Sequence, residues 1–145
     1  MKISTRGRYA LRVMIDIAEQ CSSNYIRLKD ISERQDISLK YLESITSMLS
    51  KSGLIEGVHG HGGGYKLTKK PEEYTIGEIL RITEGTLSPV SCLECGAKVC
   101  QRESICRTLP MWKELYKTIN TFFNTHTLAD LMIKAPDLGY FNASL

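Results

Sequence analysis

Between residues 9 and 18 the apolar side chains Tyr9, Ala10, Val13, Met14, Ile17 and Ala18 recur at three- and four-residue spacing. That period predicts an amphipathic helix with one buried face, and Ser4 or Thr5 offers a hydroxyl to cap its start. The opposite face carries Arg6, Arg8 and Arg12, which suit either solvent or a phosphate backbone. The pattern resumes in "LKDISERQDISLKYLESITSMLSKSGLIEG". It predicts a short helix from about Leu28 to Gln35, a turn through Asp36 and Ile37, and a longer helix opened by Ser38 and ended at Gly53. Ile31, Ile37, Leu39, Leu42, Ile45 and Leu49 are expected to share a core. This is helix-turn-helix spacing.

The opposite face of the longer helix presents Lys40, Ser44, Ser47 and Lys51, flanked by Tyr41 and Glu43. Short hydroxyls and lysines near the N-terminal end of such a helix can enter a DNA major groove, although an ordinary amphipathic helix carries the same pattern. The period then changes. "LIEGVHG" and "GYKLTK" predict two strands joined by a glycine-rich hairpin, a wing beside the second helix. Its tip, "HGHGGGYKLT", fits neither nucleotide fingerprint: no frame places glycines at positions one, three and six, and no Gly-Lys-Ser/Thr closes the run. His59 and His61 can share one side of a strand, but a tight metal site wants three or four ligands and only His126 remains. With Lys66 and Lys69 they instead offer positive charge to a sugar-phosphate backbone, which the bare tip at Gly62 and Gly63 can approach.

Farther on, "TIGEIL" sets Thr75 and Glu78 in capping-box spacing, for a helix from about Ile76 to Glu84 stopped by Gly85. A loop follows, "TLSPVSCLECGAKVCQRESICRTLP". Thr108 can cap the next helix, with Pro110 tolerated in its first turn. Leu109, Trp112, Leu115, Tyr116, Ile119, Phe122 and Phe123 form an apolar stripe along it. Packing within the chain is one cover for that stripe, and the same helix of a second copy, in an isologous dimer, is the expected one.

At 42% hydrophobic and 24% charged residues the composition excludes a disordered tail. No run approaches the ~20 apolar residues of a membrane span, and "MKISTRGRYA" is basic but polar, unlike a secretory signal. A cytoplasmic protein without membrane contact is expected. Charge is unevenly placed: residues 1–70 hold 12 Lys/Arg against 7 Asp/Glu, and the remainder 7 against 9. A basic front half points to a polyanionic partner. Paired acid and base, nucleophile motif and cofactor loop are all missing, so an enzyme is not expected.

Four of the five cysteines, Cys92, Cys95, Cys100 and Cys106, fall within fifteen residues, and Cys21 stands alone. In a reducing compartment they are not a disulfide framework. Such thiols suit an iron-sulfur cluster, zinc or a reversible thiol switch, and their spacing does not choose among these.

Taken in order, "ISTRGRYALRVMIDIA", "ISERQDISLKYLESI", "GGGYKL", "TIGEIL", the cysteine loop and "MWKEL" resemble the IscR, NsrR and CymR type of winged-helix transcriptional regulator, the Rrf family. The resemblance spans nearly the whole chain. It implies a mainly α fold with a small β-hairpin wing: a winged helix-turn-helix domain (1–85), a cysteine loop (86–108), and a dimerisation helix with a C-terminal segment (109–145). It also implies a homodimer on palindromic double-stranded DNA, most often a repressor, with a 2Fe-2S or 4Fe-4S cluster held by Cys92, Cys100 and Cys106, zinc being the lesser possibility. Leu109 stands where one member has a ligating histidine, and Arg8 or Arg12 where others have an acidic ligand, which leaves Cys95 as the candidate fourth ligand. His59 replaces a frequent wing arginine. The expected DNA contacts are Arg6, Arg8, Ser38, Lys40, Tyr41, Glu43, Ser44, Ser47, Lys51, His59, His61, Gly62, Gly63 and Lys66.

Overall fold

The computed structural model describes residues 1–20 and 24–132; Cys21 and the last part of the C-terminal segment lie outside the described residues. The chain runs α1 (Thr5–Gln20), α2 (Leu28–Gln35), α3 (Leu39–Lys51), β1 (Ile55–Val58), β2 (Gly64–Leu67), α4 (Ile76–Glu84), α5 (Leu109–Thr125) and α6 (Leu128–Leu131). It is mainly helical with one antiparallel hairpin, as the sequence predicts. Among the described residues no helix is long and apolar enough to cross a membrane.

Helix α1 is the axis of the core. Ala10, Val13, Met14 and Ile17 are fully buried against Ile31 of α2, Leu42, Ile45 and Leu49 of α3, Ile55 of β1 and Ile79 of α4. Burying each large aliphatic side chain contributes about 1.5–3 kcal/mol. Leu39 departs from expectation: it is 44% exposed. It is the first residue of α3, one turn before Leu42, and overhangs the end of the core. A second cluster joins Ile76, Leu80 and Leu87 to Ile119 and Phe123, so α5 rests on α4.

A polar network fixes the helix-turn-helix. Asp16 is only 3% exposed and accepts from Arg34 Nη2 at 2.6 Å, Arg34 Nε at 3.0 Å and Gln35 Nε2 at 2.8 Å. Arg12 donates to Gln35 Oε1 at 3.1 Å and to the Gln35 carbonyl. Asp36 then takes φ 52°, the left-handed conformation that reverses the chain after α2, and the Ser38 hydroxyl accepts from Tyr41 N to start α3.

Strands β1 and β2 pair Ile55 with Leu67, Glu56 with Lys66, Gly57 with Tyr65 and Val58 with Gly64. The sequence did not announce a third extended piece. Ile26 and Tyr65 exchange both backbone hydrogen bonds at 2.8 Å, and a Cβ on Gly64 would lie 2.3 Å from the Ile26 carbonyl, so only glycine fits there.

Tyr74 locks the base of the hairpin. Fully buried, its hydroxyl accepts from Thr68 N at 2.9 Å and Lys69 N at 2.7 Å and donates to Leu54 O at 2.8 Å. The segment after α5 returns to the same place: Leu128 N donates to Tyr74 O and Ile76 N to His126 O, both at 2.9 Å. Tyr74→Phe leaves the buried ring but strips Lys69 N of this partner. It is expected to lower unfolding free energy by about 1–2 kcal/mol, measured by urea denaturation; an unchanged midpoint would refute this role for the hydroxyl.

Candidate nucleic-acid interface and cysteine loop

Many cations of the basic half are already engaged. Arg27 pairs with Asp30, Lys29 with Glu33, Arg34 with Asp16, Lys66 with Glu56 and Lys69 with Glu78, at N···O distances of 2.6–3.9 Å. Lys66 also lies over the Tyr25 ring at 4.9 Å. The Glu56 carboxylate, at 2.8 Å, holds the Lys66 ammonium above its usual range, and Glu78 does the same for Lys69. Both hairpin lysines therefore meet a polyanion only in competition with a carboxylate. Arg12 is likewise turned inward, with its guanidinium 5.0 Å from the Tyr9 ring centroid.

What remains outward is narrower than the expected set. Arg6 and Arg8 are exposed on α1; Lys40, Glu43, Ser44, Ser47 and Lys51 are exposed on α3; His59, His61 and Gly62 are exposed at the hairpin tip. Among the described residues Lys40 and Lys51 make no ion pair. Ser38 is outward but spends its lone pair on the cap. Tyr41 is half-buried and meets Tyr9 edge to face at 5.7 Å, so it braces α3 on α1. A groove of about 420 Å³ separates α3 from the hairpin, with Glu43 on one wall and Val58, His59 and Gly63 on the other. The Gly63 N–H donates to Gly60 O at 3.0 Å, which closes the turn. His126 stacks on Phe122 at 4.3 Å at the end of α5, and no histidine joins His59 and His61 in a metal group among the described residues.

Two short 3-10 turns, Ser91–Leu93 and Glu103–Ile105, organise the cysteine loop. Cys92, Cys100 and Cys106 line one cavity of about 150 Å³ together with Leu93, Lys98, Glu103 and Leu109. Cys95 does not join them. It lines a separate pocket with Arg81, Glu84 and Tyr116, between α4 and α5. All four thiols are free, and among the described residues no three His, Cys, Asp or Glu side chains stand at metal-binding spacing. Thr108 does not cap α5 with its side chain. Its hydroxyl instead lies 3.5 Å from Cys106 Sγ. That hydrogen bond, supported by the Thr108 backbone N–H, holds the Cys106 thiol below its usual range.

Helix α5 buries none of its residues fully. Met111, Leu115 and Phe122 are 52%, 40% and 55% exposed, so intrachain packing on α4 accounts for only part of the stripe.

Over residues 3–134 the chain matches the model of Rrf2, the iron-dependent transcriptional regulators. The chain belongs to the Rrf2 family. Protein rrf2 of Nitratidesulfovibrio vulgaris is 41% identical over 132 residues, 91% of this chain and 87% of the relative. The HTH-type transcriptional regulator IscR of Aliivibrio salmonicida is 38% identical over 133 residues, 92% of this chain and 78% of the relative. The solved structure of CymR, the global cysteine regulator of B. subtilis, shares 35% identity at TM-score 0.73, covering 91% of this chain and 96% of that one. The hairpin is thus the wing of a winged-helix regulator, and this Rrf2 chain is a transcriptional regulator, not an enzyme.

Sequence reasoning missed Tyr74 and Asp16. Asp16 was detectable as the acid between Ile15 and Ile17 on a buried helix; nothing local marked Tyr74.

With a depressed pKa, Cys106 carries more thiolate at neutral pH than an ordinary thiol. In reduced, metal-free protein, Thr108→Val is expected to slow Cys106 alkylation by iodoacetamide near pH 7 and to move the rate-against-pH midpoint upward. Peptide mass mapping reads both, and an unmoved midpoint would contradict the assignment.

Proposed function

We propose that this Rrf2 regulator acts as a homodimeric repressor that binds palindromic DNA through Lys40, Ser44, Ser47 and Lys51 in the major groove and the wing tip at the adjacent backbone. Its grip is set by the state of the cysteine loop. The observation that carries the reading is the division of cations: carboxylates occupy Lys66 and Lys69, whereas Lys40 and Lys51 are exposed and, among the described residues, make no ion pair. Phosphate contacts need free cations.

The unfilled stripe of α5, at Met111, Leu115 and Phe122, supports a second copy as its cover. The loop runs from α4 to α5, so reordering between Cys92 and Cys106 bears on α5, and through it on the spacing of two α3 helices, which must match whole helical turns of DNA. Three thiols and a carboxylate on one small cavity are a donor set fit for an iron-sulfur cluster, with Cys92, Cys100 and Cys106 as its sulfur ligands. A bound cluster supplies a centre sensitive to iron supply, oxidants and nitric oxide. Target genes in cysteine metabolism are supported by the likeness to CymR, the global cysteine regulator, and target genes in cluster assembly by the cluster reading itself.

A second reading is a cluster-free regulator with zinc or a thiol switch, which the free and exposed thiols of Cys92, Cys95 and Cys100 support. Iron and acid-labile sulfide analysis after anaerobic reconstitution separates the two, and a colourless protein with stoichiometric zinc would sink the cluster.

Lys40→Ala and Lys51→Ala are each expected to weaken operator binding and to reduce the slope of log K against log salt by about 2 per dimer, one phosphate contact being lost from each half-site. Lys66→Ala should change that slope less, because its charge is already met by Glu56. Equal slopes in all three would refute the division of cations. Leu115→Asp is expected to give a monomer by sedimentation velocity and to lower operator affinity by about 100-fold or more, since two half-sites no longer share one binding event. A Leu115→Asp dimer would remove α5 as the interface.

A further inference from the structure

We infer that Glu103, not Cys95, is the fourth protein ligand beside Cys92, Cys100 and Cys106. The inference rests on the cluster reading above and names what completes its donor set. Iron-sulfur clusters of these types are held by four protein donors, and three thiols share one wall here. Among the side chains on that wall the remaining group able to ligate iron is the Glu103 carboxylate, since Lys98 is a cation and Leu93, Ala97, Val99 and Leu109 are apolar.

Cys95 is turned elsewhere. The Ala97 N–H donates to Glu94 O at 3.1 Å and Gly96 takes φ 77°, so the chain reverses between Cys95 and the cavity, leaving Cys95 in the pocket with Arg81, Glu84 and Tyr116.

Backbone bonding ties Glu103 to both neighbouring thiols. Glu103 N donates to Cys100 O at 2.9 Å and Cys106 N to Glu103 O at 3.3 Å. The 3-10 turn that links Cys100 to Cys106 therefore begins at Glu103, and drawing those two cysteines together carries the carboxylate with them. Its present partner is weak competition. Lys113 Nζ lies 3.6 Å away, and both side chains are about half exposed, at 56% and 49%; such pairs are worth little.

The test reconstitutes the full chain anaerobically with iron and sulfide, then follows visible absorbance and circular dichroism, iron and sulfide per chain, and bleaching by EDTA. Cys95→Ser should keep the parent spectrum, loading and bleaching rate. Glu103→Gln should bleach at least about tenfold faster, Glu103→Asp should fall between, and Glu103→Cys should restore loading with a changed visible dichroism. Far-ultraviolet dichroism confirms that each variant is folded. Parent-like spectra and bleaching in Glu103→Gln and Glu103→Asp, or cluster loss in Cys95→Ser, would overturn the assignment while leaving the cluster intact. A parent protein that takes up no cluster would overturn the reading beneath it.

Discussion

A carboxylate placed where water cannot reach it governs this molecule. Asp16 is 3% exposed on the central helix, and an unpaired charge there would cost several kcal/mol. Compensation comes from the two residues at the end of α2, Arg34 and Gln35, while Arg12 grips the Gln35 carbonyl from the next turn of α1. Satisfying one buried acid therefore fixes where α2 stops. Asp36 then reverses the chain at once, and α3 leaves at an angle set by α1. Apolar packing alone would hold α3 close but would tolerate sliding, because ridges of aliphatic side chains admit several registers. Directional hydrogen bonds do not.

The same logic binds the wing. A two-stranded hairpin is marginal by itself, and here it is held at two places. Ile26 pairs with Tyr65 along one edge, and the Tyr74 hydroxyl gathers Leu54, Thr68 and Lys69 at the base. Tyr74 also receives Leu128 N from beyond α5. Wing, α4 and the chain's return thus converge on one residue, so the wing's orientation is not independent of what happens to α5.

Local signals were legible where local physics decides. The boundaries of α3 and α4 followed from Ser38, Gly53, Thr75 and Gly85, since caps and terminators act over a few residues. The wing followed from alternation and glycines. Illegible were partnerships across the chain: Glu56 with Lys66, Glu78 with Lys69, Asp16 with Arg34. Glu78 shows why. Its spacing from Thr75 suggested a capping box, and Thr75 does accept from Glu78 N, but the carboxylate reaches Lys69 instead. Counting charges by sequence likewise overstated the cations available at the hairpin. In the cysteine loop spacing placed four sulfurs near one another, yet only the fold separates Cys95 from the other three.

The two halves are built to different tolerances. In the helix-turn-helix, fully buried side chains and a compensated acid leave little freedom. The loop is joined by single turns such as Glu103 N to Cys100 O, and α5 touches α4 through Ile119, Phe123 and the Arg81 bonds to Asn120 and Asn124. Regions with few buried contacts open at low free energy. Because α5 spans 17 residues, about 25 Å at the helical rise, and its far end is bonded at Tyr74 and Ile76, the two ends respond unequally. The loop end of α5 can therefore yield while its far end stays tied beside Tyr74 and Ile76. One helix thus joins a soft loop to the stiff base of the wing.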